Sequence, residues 1–214
     1  MTMKADIDTL VADLKPVRPI RPATGTALAV AATLLAVAIV ALVLGFRPDI
    51  MRLRPLPIVM LREGMLLILG FASLAAVVAA ARPSVGRVGS DGSWIWALAA
   101  AGLFPLTSLI LMFAGMPVPS EARDPMEGMG CMVVSVIAAL IVGSALTLWL
   151  RRGAPTAPAR IGWLVGLSAG SFGTFAYGLR CMSSTVFYVG LWYTLAVASC
   201  AVLGRLIVPR LIRW

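Results

Sequence analysis

Two cysteines stand fifty residues apart in matching settings, Cys131 in GMGCMV (128–133) and Cys181 in LRCMSS (179–184), each followed by methionine. Two thiols form a disulfide only where their Cα atoms approach within about 7 Å. Soft thiolate and thioether groups also suit a soft metal ion. Met126, Met129, Met132 and Met182 supply thioethers nearby, and Asp124 or Glu127 could add an oxygen. Arg180 beside Cys181, and a helix beginning under Cys131, would both favour thiolate. The plainer reading is that each is a small buried apolar residue, since cysteine behaves as one and methionine fills apolar gaps. Spacing alone leaves inert packing, a disulfide pair and a pair of metal ligands all open. The third cysteine, Cys200, has no thiol at its depth and reads as packing.

Little other chemistry is available. The chain has no histidine, which removes the usual general base, the haem ligand and the commonest zinc ligand. No glycine-rich phosphate loop of either common type occurs. A Ser-His-Asp or Cys-His set is impossible. Outside the N-terminal tail, acidic residues cluster only at 121–127. No enzyme is expected and no resident cofactor, beyond a transient soft-metal ion at Cys131 and Cys181.

The elements that must place these thiols are membrane helices. Sixty per cent of the 214 residues are hydrophobic and 13% are charged, against about 25% charged in a soluble domain. Charge-free runs cover 22–46, 64–81, 92–120, 128–150, 161–179 and 181–204. A spanning helix needs about 20 such residues. The runs are about twice the length of a barrel strand and do not alternate. They predict an all-α membrane protein, a six-transmembrane-helix bundle with both termini cytoplasmic. The spans centre on 24–46, 64–80, 94–115, 131–150, 161–178 and 185–207. The first is too long for a signal-peptide core and follows a charged segment, so it is retained. The domain plan is a cytoplasmic tail (1–23), the membrane domain (24–207) and a basic cytoplasmic end (208–214).

Charge sets the orientation. The net charge is +9, and the basic residues flank the apolar runs. There they meet lipid head groups, so membrane lipids are expected partners and nucleic acid is not. With the N-terminus inside, the inner segments carry twelve Lys and Arg and the outer ones six. One outer segment disagrees. Residues 46–63 hold Arg47, Arg52, Arg54 and Arg62 together with three prolines. They read as an interfacial loop, with Arg62 and Glu63 at the mouth of the second helix. This topology puts Cys131 and Cys181 on the outer side and Cys200 toward the inner side. No charged residue is expected in the central part of any span.

The tail carries its own pattern. Ile7, Leu10, Val11 and Leu14 repeat at i, i+3, i+4, i+7 and make one apolar face on a short helix. Pro16, Pro19 and Pro22 then extend the chain toward the membrane. A helix this short needs a surface to cover its stripe. That surface is either the bilayer and the bundle or the groove of a soluble partner. Inside the bundle, Gly162, Gly166 and Gly170 form a small-residue stripe suited to close helix packing. Pro105 should kink the third span. Thr107, Ser108, Ser135, Ser144, Thr147, Ser168 and Ser171 read as interhelical glue rather than a polar path.

Four stretches together carry a resemblance: IDTLVADLKPVRPIRP (7–22), GMGC ending at Cys131, LRCMSS around Cys181, and VFYVGLWYTLA (186–196). The chain resembles, over essentially its whole length, the NrsF-like membrane anti-sigma factors. The resemblance implies a partner, an extracytoplasmic-function sigma factor, held inactive at the inner membrane and released under heavy-metal or oxidative stress. It implies that a periplasmic cysteine pair senses the stress, and that pair maps onto Cys131 and Cys181. The absence of histidine and of an HxxxCxxC cluster separates the chain from soluble zinc-binding anti-sigma domains. Ile7, Leu10, Val11 and Leu14 are then the expected sigma-binding anchors. A membrane thiol redox carrier or soft-metal transporter using the same cysteines is the alternative, weakened by the lack of CxxC and of intramembrane charge. A purely structural bundle is a third.

Overall fold

A computed structural model describes residues 21–52, 54, 56–81, 125–153, 157–183 and 185–212, with scattered positions between 95 and 114. The tail anchors Ile7, Leu10, Val11 and Leu14, Pro105 and most of the third run lie outside the described residues. Among those described, every regular element is helical. In chain order they are α1 (Pro22–Leu44), the one-turn α2 (Pro48–Met51), α3 (Pro57–Ala80), α4 (Pro125–Leu150) and α5 (Pro158–Gly178). The last rod, α6, is α-helical over Val186–Tyr188, π-helical over Val189–Tyr193 and α-helical again over Thr194–Leu211.

Each of α1 to α5 starts on a proline. Proline suits the first helical position, where its fixed φ is already helical and its missing N–H would have had no partner. Several spans therefore begin earlier than the charge-free runs suggest. The second starts at Pro57 rather than 64, and the fourth at Pro125 rather than 128. Two expectations change. Residues 57–63 are helix, not loop, so Arg62 and Glu63 lie in the second turn of α3. Cys131 lies in the second turn of α4, beyond the first turn where a helix terminus exerts most of its field.

The bundle is built around α5, which packs against α6, α4, α3 and α1. Most of its residues are buried, including Gly162, Gly166, Gly170, Gly173, Ser168, Ser171 and Thr174. The small residues let neighbours approach closely. A Cβ on Gly162 would lie 2.7 Å from the Gly204 carbonyl, and one on Gly166 2.6 Å from Ala201 Cα. On the other side, a Cβ on Gly173 would lie 2.6 Å from the Ser135 carbonyl of α4. The glycine stripe is thus the seam that holds α6 onto α5. Cys200 packs into it, 2.8 Å from the Cβ position of Gly170, in keeping with a packing role.

Four helices are long and apolar enough to cross a membrane: Pro22–Leu44, Pro57–Ala80, Gly128–Leu150 and Val189–Leu211. Their outward faces are apolar. Leu42 is 86% exposed on α1, and Val133, Ile137, Leu140 and Leu148 form an exposed stripe along α4. Apolar surface of that extent is a liability in water and a fit in lipid. The chain is a helical membrane protein. α5 falls outside the four because its surface is covered by protein, so it carries glycine and serine where the others carry leucine.

The hydroxyls mostly serve their own helices. Thr33, Ser73, Thr147 and Ser171 each donate to a carbonyl four residues back. Among the described residues, two hydroxyls bond across helices: Ser168 Oγ donates to the Gly70 carbonyl at 3.3 Å, and Thr24 Oγ1 accepts from Trp149 Nε1 at 3.1 Å.

Candidate functional site

The thiols come together at one end of the bundle, where α1 ends and α3, α4 and α6 begin. Cys131 and Cys181 are both buried and belong to one apolar cluster with Leu66, Leu69, Tyr188, Val189 and Tyr193. The Tyr188 hydroxyl and the Cys131 sulfur are hydrogen-bond neighbours. All three cysteines are free thiols. The methionines beside them do not join the cluster as a ligand shell. Met126, Met129 and Met182 are exposed. Among the described residues, no three Cys, Asp or Glu side chains gather as a metal site.

Around the thiols lies a set of charges that sequence reasoning placed at a helix mouth. Arg62 and Glu63 are buried, and Arg62 Nε donates to Glu63 Oε1 at 2.9 Å. Arg62 Nη2 donates to the Gly178 carbonyl and Nη1 to the Ser183 carbonyl, each at 2.8 Å. Its guanidinium stacks 5.3 Å from the Tyr193 ring centroid. Arg47 reaches the same place from the end of α1. Its Nη1 donates to the Cys181 carbonyl at 3.0 Å, and its Nε pairs with Asp49 at 2.7 Å.

Gly178 is the last residue of α5, and Cys181 and Ser183 belong to the connection between α5 and α6. These three carbonyls are held by two guanidiniums. Each guanidinium is also neutralised by a carboxylate, which limits the cost of burying charge. Removing one partner of such a pair typically costs about 3–5 kcal/mol, because the other charge is left buried and unmatched. Gly178 permits the close approach, since a Cβ there would collide with the Glu63 carboxylate.

The roof of the cluster is the π-helical segment Val189–Tyr193. Its wide turn sets Tyr193, fully buried, under Arg62. It also lays Trp192 across Gly128, where any side chain would collide with the indole. One π turn inside an α-helix often accompanies a functional site.

Comparison with known proteins gives the family. The family model described as "Negative regulator of sigma F" matches residues 10–214. The chain belongs to the NrsF family. It is 31% identical to the anti-sigma-F factor NrsF of Caulobacter vibrioides over 217 aligned residues, 97% of each chain. It is 27% identical to a probable anti-sigma-F factor NrsF of Azospira oryzae, over 74% of each chain. No solved structure gives a significant match. The NrsF family is regulatory rather than enzymatic. The residues that sequence reasoning missed in this NrsF-family chain are Arg47, Tyr188 and Tyr193, and Arg62 with Glu63 as buried groups. Pro57 was the signal for the last two. A helix starting there carries its charged pair inward.

Proposed function

We propose that the chain is an inner-membrane anti-sigma factor whose input and output lie on opposite faces of the membrane. It holds an extracytoplasmic-function sigma factor at the cytoplasmic face through residues 1–22, with Ile7, Leu10, Val11 and Leu14 as apolar anchors. It releases that factor when heavy metals or oxidants reach Cys131 and Cys181 on the periplasmic face. One observation carries this reading. The tail enters the bundle at Pro22, where Thr24 meets Trp149 near the end of α4, whereas Cys131 lies near the start of α4. Trp149 lies eighteen positions after Cys131 on α4, or about 27 Å at 1.5 Å per residue. That nearly spans a hydrocarbon core of about 30 Å.

The buried arginines support the orientation. Arg47 and Arg62 were half of the positive charge that argued against an outer position for residues 46–63. Both are spent on internal partners, which leaves Arg52 and Arg54 as the exposed cations there.

Two reactions suit the thiols. An oxidant takes two electrons while two protons leave, and one S–S bond joins α4 to the α5–α6 connection. Alternatively, a soft divalent cation displaces the two protons and bridges the sulfurs without oxidation. Either product ties together elements that packing alone now joins. The seam of Gly162, Gly166 and Gly204 couples α5 rigidly to α6, so a tilt at the thiol end reaches the other end. Release needs two states that differ in sigma affinity. A tenfold difference corresponds to about 1.4 kcal/mol.

The test is a promoter dependent on the bound sigma factor, read before and after exposure to metals or oxidants. C131S and C181S should each cut the induced response by at least about tenfold, while basal repression holds. An undiminished response in both variants would overturn the sensor reading. Leu10→Asp and Leu14→Asp in the full-length protein should abolish co-purification of a sigma factor. Retention of that factor would overturn the role given to the tail.

A further inference from the structure

The α5–α6 connection carries Cys181; its N–H groups up to Cys181 bond back to α5, but its carbonyls are held by arginines from outside the connection. We propose that Arg62 is a positioning residue for Cys181, setting where the thiol sits and how readily a reagent reaches it. The geometry is a bracket. Arg62 Nη2 binds the Gly178 carbonyl before Cys181, and Nη1 binds the Ser183 carbonyl after it. Arg47 binds the Cys181 carbonyl itself. One rigid fork therefore spans the six residues 178–183 in which the thiol stands, and α3 supplies it. The guanidinium is fixed in turn by Glu63 and by the Tyr193 ring. A lysine keeps the charge but cannot reproduce a planar fork that serves two carbonyls and a carboxylate at once.

The consequence is chemical. While the bracket is closed, Cys181 is 5% exposed. Any reaction that draws it toward a new partner must strain or break a bond to Arg62 or Arg47. The bracket thereby sets a threshold below which the thiol stays quiet. The inference deepens the reading of Cys181 as a reacting thiol, but its test involves no sigma factor and no stress response.

The full-length protein in lipid nanodiscs is treated with a small maleimide, and alkylation of each cysteine is followed by mass spectrometry. Cys200 is the internal reference, because it is buried in the α5–α6 seam away from the bracket. Two variants are compared with the wild type. R62K keeps the charge opposite Glu63, and R62Q/E63Q removes the pair together and leaves no unmatched ion. The ratio of Cys181 to Cys200 alkylation rates should rise at least about fivefold in both, as expected when local opening rather than global unfolding exposes the site. A smaller rise in either variant, including one in which both cysteines become reactive together, would overturn the proposal. A raised ratio in a protein whose promoter response ignores its cysteines would leave the bracket standing and remove only the sensing role.

Discussion

Asp49 and Glu63 show how a single carboxylate fits or strains a membrane-edge site. Burial acts to raise the pKa of Asp49, but a hydrogen bond from its own backbone and another from Arg47 outweigh it and hold the carboxyl below its ordinary value. A carboxyl depressed in the folded state contributes stability above its unfolded pKa and loses it as the pH falls through the folded value. Asp49→Asn should therefore lower the melting temperature at neutral pH. The gap from wild type should close as the pH drops below about 4, which thermal unfolding in detergent across a pH series would read. Glu63 was visible in the sequence as an acid next to Arg62 but was read as a loop residue. The charge-free window stopped at residue 64, whereas the helix began at Pro57. A window that rejects charge cannot see an ion pair that neutralises itself inside a helix. The thiols were legible as chemistry from their shared Cys-Met setting. Their common cluster was not, because it depends on how α4 and the α5–α6 connection converge.

At the scale of elements, the small-residue stripe of α5 was the clearest signal in the sequence. Four-residue spacing of Gly162, Gly166 and Gly170 states which face must meet a neighbour, and the backbone of α6 lies against it. Glycine positions there differ sharply in tolerance. Gly166→Ala would force a methyl against Ala201 and the Cys200 carbonyl, costing about 1–3 kcal/mol by overpacking. Gly143→Ala on α4 would place its methyl 3.5 Å from Ala169 Cβ, an ordinary contact. It should stay within about 0.5 kcal/mol of wild type. Unfolding both variants in micelles separates a seam from a mere neighbour. The partner of the stripe was not legible. Gly204 is one glycine among leucines and valines, and nothing local marks it as the residue opposite Gly162.

For the whole molecule, the membrane setting followed from composition and run length, and four long apolar helices bear it out. The orientation rests on arginines whose meaning changed once two of them proved to be internal. With the N-terminus inside, an enzyme active only in the periplasm should work when fused within residues 46–56 and fail when fused after Trp214. The opposite pattern would invert the molecule and place the thiols in the cytoplasm. The π-helical turn sets one further constraint on the molecule, on insertion and deletion. A π turn amounts to one surplus residue in an α-helix. Deleting any one residue from Val189–Tyr193 would let α6 close into an unbroken α-helix. It would also swing Val186–Tyr188 by about 100° relative to Thr194–Leu211, since each α-helical residue turns the chain by that angle. Tyr188 would leave Cys131 while Gly204 kept its place against α5. The surplus residue thus sets the angle between the aromatic roof and the glycine seam.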